Sequence, residues 1–222
     1  FLKYAKKGLY DNSIFHRSIP GFVLQGGGFS VPPVPADDEL IELPKRIPSF
    51  KPIKNQPGNS NLRGTVAMAK VGGDPDSATN QWFINLEDNL PLDDNNGGFT
   101  AFGKVLGEGM EVVDQLASAD VFPAGGPFGL FDQLPLWELS EGADGSAKIM
   151  PDDFLTVISA QELEDKNHPF VLGVESSDDS LVKATITKKQ KIKLKTSSDT
   201  SGTAEITVEA ISLIDGTVDV DS

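Results

Sequence analysis

Between positions 13 and 163 the chain alternates apolar and polar residues in short runs, with Gly, Pro, Asn and Asp frequent between them. SIFHRSI (13–19), GFVLQGG (21–27), GTVAMAKV (64–71), QWFINL (81–86), GFTAFGKVL (98–106) and FLTVISAQEL (154–163) are such runs. Strand side chains alternate faces, so runs of this kind predict half-buried strands, and many of them between turn signals predict an all-β barrel or sandwich. EGMEVVDQLAS (108–118) is the exception: Met110, Val112, Val113 and Leu116 predict a short amphipathic helix. At the start, Phe1, Leu2, Tyr4, Ala5 and Leu9 recur at roughly helical spacing, with Lys6, Lys7 and Gly8 as a basic last turn and stop. No capping residue precedes Phe1, so the chain reads as beginning inside a helix. The proline-rich stretch 31–61 keeps no period and predicts a long surface excursion with a short element at most.

The texture changes near Glu164. DKNHPF (165–170) reads as a linker. Beyond it, 181–187, 191–195 and 203–210 alternate as half-buried strands, with Ala204, Ile206, Val208 and Ala210 on one face. The expected organisation is a β-rich domain over 1–163, followed by a linker and a partial β-sandwich extension over 164–222. That extension is short of a full immunoglobulin-type sandwich of ~100 residues and reads as the opening part of one. In KKQKIKLK (188–195), Lys189, Lys191, Lys193 and Lys195 alternate with Gln190, Ile192 and Leu194, which predicts lysines on the open face of a strand rather than a nucleic-acid site.

Charge and composition narrow the chemistry. With 33 acidic and 19 basic residues in 222, the net charge of −14 opposes phosphate backbones, and no nucleic-acid partner is expected. No apolar run reaches the ~18 residues of a membrane-spanning helix. The absence of Cys removes disulfides, thiol nucleophiles and thiolate metal sites, and two histidines, His16 and His168, cannot build a multi-histidine metal centre. FLKYAKKGLYDNSIFHR has no charged leader, apolar stretch and cleavage site, so any targeting segment lies outside this sequence.

FHRSIPGFVLQGGGF (15–29) places Arg17, Phe22 and Gln25 between two strand-like runs, followed by Gly26, Gly27 and Gly28. Neighbouring strands could bring Arg17 and Gln25 to one surface, although an arginine on a sheet is usually a solvated charge and three glycines are usually a turn. The wording is more specific than the pattern. YDNSIFHRSIPGFVLQGGGF, RGTVAMAKVGGDPDSATNQWFINL and GGFTAFGKVLGEGMEVVDQLA resemble, in order, three blocks of the cyclophilin family of peptidyl-prolyl cis/trans isomerases. The resemblance covers about 1–161 and is nearest to bacterial and other divergent members. It implies a mainly β fold, an eight-stranded antiparallel barrel with two capping helices, here read as lacking the first two strands and the start of a helix. Their loss would leave unpaired strand edges and a chain that folds poorly.

The resemblance also implies roles. Arg17 matches the catalytic arginine, Gln25 the glutamine that orients it, and Phe83 the aromatic residue of the catalytic pocket. Phe22, Val23, Leu92 and Phe99 match positions around the proline-binding pocket. Ala69, Lys70 and Val71 match the segment whose backbone pairs with the peptide, and Gln81 a neighbouring substrate-contacting glutamine. No cofactor or metal is implied. The departures are Pro91 and Phe99, where the eukaryotic type has Trp and His, the longer loop DDNNGG (93–98), Val23 in place of Met and Lys70 in place of Asn or Arg. The resemblance to bacterial members then implies retained turnover and reduced cyclosporin binding.

His16, preceding Arg17, reads as a structural residue on the opposite face. Asp74, Asp76, Asp93 and Asp94, with Asn95 and Asn96, lack the spacing of a calcium loop and read as solvated loop residues. The expected function is isomerisation of X-Pro bonds in unfolded proteins by a monomer; the alternative is a proline-peptide binding, chaperone or adhesion module with weak turnover. Acidity, zero Cys and the sandwich-like tail suggest a periplasmic, secreted or cell-surface bacterial protein.

Overall fold

The computed structural model describes residues 1–32, 44–125, 129–141, 147–162, 170–178, 180–186, 192–196, 203–212 and 218–221. The proline-rich excursion is thus described only in part, and the linker residue His168, together with Lys189 and Lys191, lies outside the described residues. The fold is mainly β, and every strand pairing described is antiparallel. Two compact units are present, residues 1–105 with 111–161, and residues 106–110 with 162–222.

In the first unit, helix α1 (Leu2–Ala5) makes a single turn that buries Tyr4 and Ala5. Leu9 falls outside it, so this helix is shorter than its spacing predicted. Strands β1 (Ser13–Ile19), β2 (Val23–Ser30), β3 (Lys45–Arg46), β4 (Thr65–Met68), β5 (Trp82–Asn85) and β6 (Ala101–Lys104) follow. After helix α2 (Gly109–Ala117) come β7 (Asp120–Phe122), β8 (Leu134–Leu136), β9 (Ser140–Glu141), β10 (Ala147–Lys148) and β11 (Thr156–Val157). The main sheet runs β11-β1-β2-β5-β4-β6, with β3 beside β2, and its two ends do not pair with each other among the described residues. The pairs β7-β8 and β9-β10 form separate two-stranded sheets.

The alternating runs became strands because each has one face to bury. One core cluster gathers Ile14, Phe29, Phe131, Leu134, Leu136 and Phe154; another gathers Val23, Ala67, Phe83, Leu92 and Ala101. Burying a large apolar side chain stabilises by about 1.5–3 kcal/mol. In α2 only Val113 is buried, while Val112 is 58% exposed, so one of the two adjacent valines points away. Arg63 pins this helix, its guanidinium donating to Asp114 Oδ2 (2.6 Å) and to the Leu86 carbonyl (2.5 Å).

The second unit holds β12 (Phe170–Ser176), β13 (Val182–Ile186), β14 (Ile192–Thr196), β15 (Ile206–Ser212) and β16 (Val218–Asp221). β15 is central, paired with β12 on one side and β16 on the other, and β13 pairs with β14. β12 was not expected from the sequence, because Gly173 and Glu175 break its alternation; it exists because all seven residues find partners on β15. Lys193 and Lys195 are exposed as predicted, and Ile192 (40%) and Leu194 (53%) are exposed as well.

Candidate active site

The site begins with an irregularity in β1. Phe15 pairs with Gly26 and Arg17 with Gln25, so β1 advances two residues while β2 advances one. His16 is the additional residue, and a bulge of this kind re-aims the side chain that follows it. Phe15 stays over Gly26, whereas Arg17 joins the face of Gln25. The row continues across the sheet: Gln25 opposes Phe83, Phe83 opposes Ala67, and Ala67 opposes Ala101. Directly opposed residues of neighbouring strands share a face, so five strands present one row that is polar at the Arg17 end and apolar beyond it.

Over this row lies a cavity of about 260 Å³ lined by Arg17, Phe22, Val23, Gln25, Ala69, Lys70, Phe83, Leu92, Asn95 and Phe99. Its floor is the second core cluster itself, with Phe22, Ala69 and Phe99 packed against it. Phe83 and Phe99 meet edge to face, centroids 5.8 Å apart at 69°. No carboxylate lines the cavity, and its two cations are Arg17 and Lys70. A larger hollow, about 620 Å³, lies against Asn12, Val31, Trp137, Phe154 and Ile158, but no Arg, Lys or Gln is among its lining residues.

Arg17 is half-buried, and burial lowers its pKa, yet a guanidinium remains charged under any ordinary condition. Its Nε donates to Gln133 Oε1 at 2.9 Å, and its Nη1 to Gln25 Oε1 at a longer 3.4 Å. Gln25 Nε2 in turn donates to Gln81 Oε1 at 2.8 Å. The tighter hold on the arginine therefore comes from Gln133, which sequence reasoning missed. It precedes β8, 116 residues from Arg17, and nothing local marks it.

Gly26, Gly27 and Gly28 do not form a turn; all three lie inside β2. Gly27 has φ +79°, and a Cβ there would meet the Asn80 carbonyl at 2.7 Å and Trp82 Nε1 at 2.6 Å. The nearest atoms to a Cβ on Gly28 would be those of the Gln81 side chain, at 2.9–3.0 Å. The glycine run thus lets β5 come close and leaves room for Gln81 behind Gln25.

His16 is 3% exposed, packed against Phe29 with centroids 4.9 Å apart, and is not part of the cavity lining. Burial pushes its pKa down to about 4, opposed by a hydrogen bond with Gln81 and aided by the Arg17 charge, so the ring is neutral at pH 7.

A chain of buried asparagines joins the backbone of two lining residues of the cavity, Phe22 and Phe99. Asn61 Nδ2 donates to the Phe99 carbonyl (3.1 Å), Asn85 Nδ2 to Asn61 Oδ1 (3.3 Å), and Asn89 Nδ2 to both Asn85 Oδ1 (2.8 Å) and the Phe22 carbonyl (2.9 Å). Asn61 lies within the stretch expected to be a surface excursion, yet it has no exposed surface. The available signal was Asn85, a polar residue at a position otherwise surrounded by the apolar run WFINL.

Of the other predicted site residues, Gln81 stands behind Gln25 and Val71 lies outside the cavity, 66% exposed. The Val71 N–H donates to Ser77 Oγ (2.8 Å) and its carbonyl accepts from Asn96 Nδ2 (3.0 Å), so both backbone groups are engaged within the chain. Pro91 is exposed on the short turn Leu90–Asp93 that delivers Leu92. The acidic residues serve loop geometry: Asp93 Oδ1 accepts from the Asn61 N–H (2.8 Å) and Nδ2 (2.9 Å), bonds that hold its pKa down, and Asp76 Oδ1 accepts from the Asn55 N–H (2.9 Å). Among the described residues, no group of three or more His, Cys, Asp or Glu could hold a metal ion.

A half-buried, glutamine-held arginine beside a small aromatic pocket is paired here with a family match: the model described as "Cyclophilin type peptidyl-prolyl cis-trans isomerase/CLD" fits residues 1–127. The chain belongs to the cyclophilin family. This cyclophilin is 43% identical over 121 residues to peptidyl-prolyl cis-trans isomerase A of Dickeya dadantii (strain 3937), covering 53% of this chain and 57% of that protein. It is 43% identical over 122 residues to a peptidyl-prolyl cis-trans isomerase of Acinetobacter baylyi, covering 53% and 58%. With peptidyl-prolyl cis-trans isomerase B of Escherichia coli (strain K12) the identity is 39% over 142 residues, covering 61% and 76%. The cyclophilin chain therefore spans somewhat more than half the length of the first two relatives. Gln133 lies beyond the residues matched by the family model.

Proposed function

We propose that this chain catalyses cis/trans isomerisation of X-Pro peptide bonds, with the cavity on Phe83 and Leu92 as the seat of the proline ring. The observation that carries the reading is the position of Arg17: a permanently charged donor, held by Gln133 and Gln25, at the edge of an apolar cavity. The uncatalysed barrier of ~18–20 kcal/mol comes from amide resonance. Rotation withdraws the prolyl nitrogen's lone pair from that resonance and localises it on the nitrogen. A guanidinium N–H placed there donates to the twisted state more strongly than to the planar one, and only such differential binding accelerates the step. Each ~1.4 kcal/mol of difference is a tenfold gain in rate. Gripping the ring in an apolar pocket while the preceding carbonyl turns is a second requirement, and Phe22, Val23, Phe83, Leu92 and Phe99 are suited to it. The reaction needs no nucleophile, cofactor or metal.

The partners in this reading are proline-containing segments of unfolded proteins, with residues 1–163 as the isomerase domain and 164–222 as an accessory β extension. The protein acts as a monomer without nucleic acid, in an extracytoplasmic compartment. Among the described residues, no helix is long and apolar enough to cross a membrane.

The test is NMR exchange spectroscopy on an Ala-Pro peptide with wild-type protein and Arg17→Ala. Acceleration by the wild type, reduced roughly hundredfold or more in the variant, is expected for a donor acting in the transition state. A folded wild-type protein that binds the peptide without accelerating exchange would leave the binding-module reading in its place.

A further inference from the structure

The cavity wall formed by Phe99 lies outside the strands, its ring resting edge to face on Phe83 of β5. It belongs to the loop after the Leu90–Asp93 turn, and of the side chains outside the loop that bond to it, Asn55, Asn61 and Lys70, only Lys70 is charged and lines the cavity. Lys70 Nζ donates to the carbonyls of Asn96 (2.8 Å) and Gly98 (2.6 Å) and stands 4.5 Å from the centroid of the Phe99 ring. Asn96 returns the contact, its Nδ2 donating to the Val71 carbonyl at 3.0 Å. Asn55 Nδ2 donates to the Gly97 and Gly98 carbonyls, both at 2.7 Å, so the Gly98 carbonyl accepts from both Lys70 and Asn55. Two backbone carbonyls and an aromatic face converge on the Lys70 ammonium, an arrangement that favours a cation and leaves both carbonyls poorly matched to a neutral side chain. The Lys70 side chain is itself a lining residue of the cavity.

We propose that the Lys70 side chain is a positioning residue, a clamp that holds the loop 95–99 and the Phe99 ring against the cavity and so sets how tightly the pocket closes on a proline ring. This rests on the reading of that cavity as the proline site. It is separate from the peptide-pairing role expected of the backbone at 69–71, because it acts through the ammonium and through Phe99. Arginine can reproduce the donors and the ring contact, whereas methionine keeps the length and apolar stem but supplies neither.

The experiment compares full-chain wild type, Lys70→Met, Lys70→Arg and Asn96→Gly, with Arg17→Ala alongside. Three quantities are measured by NMR: the dissociation constant for an Ala-Pro peptide, the exchange rate at saturating peptide, and the Phe99 ring shifts with amide protection over 95–99. The methionine variant should bind roughly tenfold more weakly, the scale of one lost charge-assisted contact, while saturating exchange falls no more than about threefold. Its Phe99 signals should shift and the loop amides lose protection. Arginine should restore binding to within about twofold, since it keeps the charge and the donors. Asn96→Gly keeps a residue suited to the local φ of +51° and should loosen the same loop in the same direction. Wild-type binding in Lys70→Met with unmoved Phe99 signals overturns the clamp, as does an arginine variant no better than the methionine one. Should wild type and Arg17→Ala both fail to accelerate exchange, the isomerase reading falls, and the dissociation constants and Phe99 shifts still decide the clamp.

Discussion

Gly27 and Gly28 are adjacent in β2, and the structure makes opposite demands on them. At Gly27 the backbone is left-handed (φ +79°), and a methyl group would collide with the Asn80 carbonyl and the buried indole of Trp82. Neither can retreat without moving β5. An alanine there combines left-handed strain of about 1–2 kcal/mol with overpacking of about 1–3 kcal/mol, so Gly27→Ala should lose about 3 kcal/mol of stability. At Gly28 the backbone is ordinary, and the colliding atoms are Cγ, Cδ and Nε2 of Gln81, a side chain that can swing aside. Gly28→Ala should therefore lose only about 1–2 kcal/mol, the net worth of the 2.8 Å bond from Gln25 to Gln81 and of the Gln81 bond with His16 that it displaces. The catalytic consequence is reversed in kind: Gln25 is freed to rotate, its 3.4 Å contact with Arg17 is no longer backed, and exchange on an Ala-Pro peptide should fall about fivefold, the equivalent of about 1 kcal/mol. Urea unfolding of both variants and NMR exchange with Gly28→Ala are the assays. Full exchange activity in Gly28→Ala with unshifted Gln25 carboxamide signals would refute the role given to Gln81. Equal stability losses in the two variants would refute the distinction between side-chain and backbone collision.

Other consequences are simpler. Gln133→Leu removes the 2.9 Å acceptor from Arg17 Nε and should lower exchange about tenfold with little change in peptide affinity; unchanged exchange would mean that Gln25 alone suffices to hold the arginine. His16 gives a pH dependence whose sign follows from burial. Its folded pKa of about 4 lies below the unfolded value of 6.5, so between these values the unfolded chain binds more protons and stability rises with pH. The contribution is present above pH 6.5 and is lost as pH falls toward 4, by about 3 kcal/mol from this one group. Urea unfolding at pH 4 and pH 7 should show His16→Gln with a visibly flatter profile than wild type; identical profiles would show that the ring is not buried neutral.

What the sequence determined by itself was whatever depends on neighbours along the chain. β1, β2, β4, β5 and β6 follow from alternation between turn residues, and α2 from its helical spacing, because those periods are local properties of the backbone. The family wording placed Arg17, Phe22, Val23, Gln25, Ala69, Lys70, Phe83, Leu92 and Phe99, all of which line one cavity. Alternation alone, however, puts Arg17 on the same face as Phe15, and only the pairing of β1 with β2 displays the bulge at His16 that separates them. A bulge is a mismatch between two strands and is written in neither one. Gln133 meets Arg17 across 116 residues, and Asn61 reaches Phe99 across 38, with no period or spacing to announce either contact. The three glycines read as a turn, since a residue without a side chain shows its purpose only through what approaches it, here Trp82 and Gln81. Lys70 shows the same division: the sequence put a cation just beyond β4, and the tertiary structure decided that its charge would meet two loop carbonyls and an aromatic ring. Local order follows from periodicity, whereas a site is made of through-space contacts that exist only once the strands have found their register.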